Sequence, residues 1–213
     1  MISATPELRT KTPTLLTAWA VITMCLWGLL LMVPVIASIL IVSVLRLSVL
    51  TFLVPLVTIS VATFFLPFGF GNSYVGRLVR PLRPQQGPLA AVFLVQLTCL
   101  PRTRSGLLAL LEDADDIGFL SLTDSGLVFD GDSIRLTAPY DRIKELELQN
   151  SGWRALFFYG PRTAFSVSGL PDAGRFTFAE RSSWHLPGSR KNARQLYRQL
   201  SQRVRGVSNS EAS

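Results

Sequence analysis

The sequence predicts an α+β membrane protein: a two-helix transmembrane hairpin, then a small antiparallel β-barrel or sandwich capped by a C-terminal helix. Three observations predict it. Residues Thr14 to Phe70 form an apolar run of about 57 residues broken by a single charge, Arg46. Between Gly118 and Gln149 apolar and polar residues alternate with a period of two, punctuated by turn residues. Near the C-terminus, Ala193, Leu196, Tyr197, Leu200 and Val204 recur at the helical period.

The chain has 213 residues, 48% hydrophobic and 16% charged, with a mean hydropathy of +0.35. Those averages combine two populations, because the charges lie mostly beyond Gly71. The formal net charge of +7 is the kind of excess that the flanks of membrane helices carry, so it does not require nucleic acid, and none is expected as a partner. Cys25 and Cys99 lie in unlike settings, one in the apolar run and one in a strand-like run, and read as two reduced thiols. With His185 the only histidine, no Cys/His metal framework exists, and no cofactor is expected.

Residues 1–13 read as a polar, mobile cytoplasmic tail carrying Arg9 and Lys11. A cleaved signal peptide is disfavoured because its apolar region spans about 7–15 residues, and this run continues far beyond that. Two helices are expected within 14–70, at about 14–44 and 49–67, each long enough for the roughly 20 residues of one crossing. Pro34 would kink the first, and Arg46 would sit in the connection. Two positive charges before the hairpin and three after it, against one between, place both termini in the cytoplasm of a multi-pass plasma (bacterial inner) membrane protein.

Residues 71–88 read as a basic juxtamembrane linker. Arg77, Arg80 and Arg83 recur every third residue between Val75, Leu78, Val79 and Leu82, a pattern for guanidinium contacts to lipid phosphate or for a plain stop-transfer flank. The soluble domain is expected over 89–205. Ala91–Thr98 is β-branched and aromatic and reads as a strand. A short helix then follows Ser105, and the acids Glu112, Asp113, Asp115 and Asp116 read as a solvated or Arg-paired turn. Leu120 and Leu122, Leu127 and Phe129, then Ile134, Leu136 and Ala138 give three strands, with Asp130-Gly131 as hairpin turn. Tyr140–Ile143 reads as one helical turn, and Leu146 and Leu148 resume the alternation. Further strands fit Ala155–Tyr159, Thr163–Ser168 and Arg175–Ala179, about seven in all. The closing helix is expected from Ser189 to Arg205 with a basic outer face, and 206–213 as a frayed tail.

Seven strands closed by one amphipathic helix resemble the pleckstrin-homology superfold. The run GFLSLTDSGLVFDGDSIRLTAPYDRIKEL is similar to its GRAM variety, over roughly residues 90–205. The resemblance implies a helix-capped, partly open barrel without a catalytic centre, of a kind that binds lipid head groups or peptides. Its basic residues near the first hairpin are Arg102 and Arg104, the candidate ligand-facing cations. The expected function is a non-enzymatic, membrane-anchored binding or scaffold module. Its partners are the lipid bilayer and a protein yet to be identified. The alternative is a subunit of a homo-oligomeric or multi-subunit transporter or channel. An enzyme built on His185 lacks any Gly-x-Ser-x-Gly elbow, so a turn histidine is the expected role.

Overall fold

A computed structural model describes residues 5–15, 22, 23, 26, 33–45, 48, 53, 57, 72–83, 91–102, 114–150, 160–170 and 174–210. The strands are β1 (Glu7–Thr10), β2 (Ala91–Leu100), β3 (Asp116–Leu122), β4 (Gly126–Gly131), β5 (Ile134–Pro139), β6 (Ile143–Gln149), β7 (Arg162–Val167) and β8 (Arg175–Glu180). The helices α1 (Val33–Val44) and α2 (Leu186–Ser210) are delimited at both ends among the described residues. The strands form one antiparallel sheet in the order β1-β5-β4-β3-β2-β8-β7-β6, which curls around a single apolar interior.

Alternation explains which side chains fill that interior. In β5, Ile134, Leu136 and Ala138 are buried while Arg135 points to solvent, because successive strand residues face opposite ways. The same rule turns Leu120, Leu122, Leu127 and Phe129 inward. Phe165 packs against Phe176 and Phe178 with ring centroids 5.8 and 5.5 Å apart, and Phe129 meets Phe178 at 5.6 Å. These offset rings join the two halves of the sheet. The helix α2 lies against β6, β7, β8 and the 3-10 turn Tyr140–Arg142, and its Leu196 and Leu200 complete the interior.

β3 departs from simple alternation, since all seven of its residues are buried. Its outer face is covered too. Residues 72–78 form a short helix that continues into the 3-10 turn Arg80–Leu82, and Val75 and Val79 pack on Ile117 and Phe119. The apolar side of this segment therefore meets the sheet, and Arg77, Arg80 and Arg83 are exposed on its outward side. Asn72 ties the segment down by donating to the Ser183 carbonyl at 2.7 Å.

The expected membrane hairpin is corrected here. Among the described residues no helix is long and apolar enough to cross a membrane. The delimited stretch α1 spans Val33–Val44, and one crossing needs roughly 20 apolar residues. The integral-membrane assignment, and the plasma (bacterial inner) membrane location with both termini cytoplasmic, rested on that hairpin and fall with it. The polar tail is corrected as well: Glu7–Thr10 is an edge strand, with Leu8 opposite Leu136 and packed on the core. Thr14 and Leu15, expected to open the first crossing, donate their backbone N–H groups to Asp132. Arg46, the short helix after Ser105, and the strand Ala155–Tyr159 lie outside the described residues.

Candidate binding surface on the closing helix

α2 has two unlike faces. Leu186, Ala193, Leu196 and Leu200 are buried, as the helical stripe requires. The opposite side carries Arg190, Lys191, Arg194 and Arg198, which with Pro187 line an open groove of about 430 Å³. None of these four cations has a carboxylate within ion-pair distance among the described residues. Further along, Arg203 is occupied: it donates to the Thr123 carbonyl and lies 3.7 Å from Asp124, fastening the helix to the β3–β4 turn.

Polar contacts fix where the helix begins. The N–H of Gly188 donates to His185 Nδ1 at 2.8 Å, which satisfies one of the free donors of the first turn. The lone histidine thus serves as a cap at an exposed turn, with Nδ1 as the acceptor. Asn192, on the first turns of α2, donates to Ser183 Oγ at 3.0 Å. Glu180 accepts from the Ser182 N–H at 2.7 Å, so the chain leaving β8 is held in place before the helix starts.

The cations singled out in the sequence are dispersed. Arg77, Arg80 and Arg83 lie on the outer segment described above. Arg102 is 3.8 Å from the carboxylate of Asp115, a fully buried side chain, so its charge is directed toward a structural partner. Arg104 lies outside the described residues, as do Glu112 and Asp113. The two remaining acids of that run are interior. Asp115 accepts the Cys99 N–H at 2.8 Å. Asp116 accepts from the N–H groups of Ile117 (2.9 Å), Ser133 (2.8 Å) and Ile134 (2.6 Å). Asp132, beside them in charge and also buried, accepts from Thr14 Oγ1 at 2.8 Å as well as from the Thr14 and Leu15 backbone. These carboxylates organise backbone; among the described residues no group of His, Cys, Asp and Glu is arranged to hold a metal.

Cys99 is the nucleophile that burial silences. Its thiol is pushed up to about 12 by desolvation, with the charges of Asp115 and Asp116 adding to the effect. A thiol reagent needs the thiolate. In a Cys25→Ser background, Cys99 is expected to resist iodoacetamide at neutral pH in the native chain and to react promptly in denaturant. Rapid labelling of the native chain would show that β2 opens far more easily than its buried pairing with β3 and β8 implies.

The basic row of α2 was visible in the sequence as the polar side of an amphipathic helix, but its lack of acidic partners among the described residues was not. No known protein family, no curated protein and no solved structure matches this chain.

Proposed function

We propose that the chain is a non-enzymatic binding module, in which a pleckstrin-homology-like barrel holds α2 rigidly and offers its outer face to a partner. The observation that carries this reading is the groove of four cations without carboxylate partners among the described residues, on a helix whose other face is committed to the core. Like charges crowded on one helix face repel one another by a few tenths of a kcal/mol per pair. An anionic partner relieves that repulsion. The seven-strand run β2–β8 closed by α2 supports the resemblance to the pleckstrin-homology superfold, and the cap at His185 with the Asn192–Ser183 hydrogen bond supports a surface that is pre-organised.

The test places a photo-activatable residue at position 194, in cells that naturally make the chain, and another at Ser125, an exposed position on the β3–β4 turn. A discrete adduct at 194, absent at 125 and lost when Arg190 and Arg198 are both changed to Glu, is the expected result. No adduct at 194 would sink the reading.

A further inference from the structure

The groove on α2 narrows what its partner can be. Arg190, Arg194 and Arg198 stand four residues apart, so the row repeats about every 6 Å along the helix axis and extends over roughly 12 Å. Lys191 lies beside it, three residues before Arg194. The three arginines thus form an extended row, which suits a rod more than a compact ion. A bilayer-docking helix sets apolar side chains among its cations, to insert below the head groups. Here Pro187 alone is apolar among the described lining residues. Single-stranded nucleic acid is held by aromatic platforms as well as cations. Among the described lining residues there is no aromatic side chain.

We infer that the groove takes an acidic α-helix of a partner protein, laid along α2 with carboxylates at i, i+4 and i+8. Such a helix repeats its charges at the spacing of the arginine row, so three Arg–carboxylate pairs form in one register. Guanidinium forks suit that role because they grip both carboxylate oxygens. Register also supplies selectivity: an acidic helix with the same charge distributed around its circumference can satisfy only one or two of the arginines at once.

This inference rests on the binding-module reading, and its test can fail alone. The full chain is titrated into a fluorescent, alanine-rich helical peptide bearing Glu at i, i+4 and i+8, and into a peptide of the same composition with its Glu residues spread around the helix. Saturable binding of the first is expected, weakened about tenfold by the double change Arg194→Gln and Arg198→Gln, since two exposed ion pairs together are worth about that factor. The second peptide should bind several-fold more weakly. Equal affinity for both peptides, or no binding of either, overturns the acidic-helix inference. If the cross-link at 194 still forms in that case, the binding-module reading stands with a different occupant. Vesicles rich in anionic lipid are the further arm. Tighter binding to vesicles than to the peptide, lost on changing Arg194 or the exposed Trp184, would reassign the groove to a membrane surface and overturn the inference.

Discussion

Leu200→Ala is expected to destabilise the full chain by about 2–5 kcal/mol in urea unfolding, the usual cost of emptying a leucine site in a packed interior. Leu200 is fully buried, and it belongs to the same cluster as Phe165, Phe176 and Phe178 on the strands beneath. The helix bearing it closes the sheet, so the space left by the side chain cannot be refilled from solvent without opening the barrel. Arg198→Ala, two residues away on the exposed side, should move the midpoint only slightly, because among the described residues its guanidinium has no ion-pair partner to lose. Equal effects from the two substitutions would show that α2 does not dock by its leucine face. The pair also separates stability from binding: Leu200 changes the first, whereas Arg198 should change only the second.

How much of this was legible depends on whether an element is defined by its own pattern or by what it meets. β3, β4 and β5 were legible because one face of each is interior, and alternation records that directly in Leu120, Leu122, Leu127, Phe129, Ile134 and Leu136. The stripe of α2 was legible for the same reason. β1 was not. Glu7-Leu8-Arg9-Thr10 has one apolar residue, and its strand state comes from hydrogen bonding along β5 rather than from any local preference. The segment 72–82 shows a different limit. Val75 and Val79 announce an apolar face, but spacing cannot say whether that face meets lipid or protein. A clue lay elsewhere: Ile117 and Phe119 interleave with Leu120 and Leu122, and a strand apolar on both faces must be covered on both. The long apolar run misled at its start, because hydropathy measures aversion to water and not what a residue is bonded to. Thr14 and Leu15 are anchored to Asp132 at the end of the sheet. Asp115 and Asp116 were legible as acids and illegible as interior ones, since the groups that satisfy them come from Cys99, Ser133 and Ile134, distant in sequence.

Asp116→Ala should cost about 2–5 kcal/mol, because three backbone donors lose their acceptor inside the protein and each orphaned group is worth roughly 1–3 kcal/mol before relaxation. The site has no slack. A side chain on Gly131 would run into the Asp116 carboxylate and the ring of Phe129, so the acid and the strand opposite are fitted to each other. The pH dependence is the more specific expectation. Burial raises the Asp116 carboxyl above the usual carboxylate range; the N–H groups of Ser133, Ile134 and Ile117 pull it down, and the charge of Asp132 pushes it up again. A carboxyl raised in the folded chain contributes stability that is complete below its unfolded pKa and is lost as pH rises through the folded one. Asp116→Asn removes that titration while keeping an oxygen for Ser133 and Ile134. The stability difference between the native chain and Asp116→Asn, followed by urea melts from acid to neutral pH, should therefore shift against the native chain as pH rises, then level off. A difference that shifts in its favour over the same range would mean that the three donors outweigh burial and hold the carboxyl low.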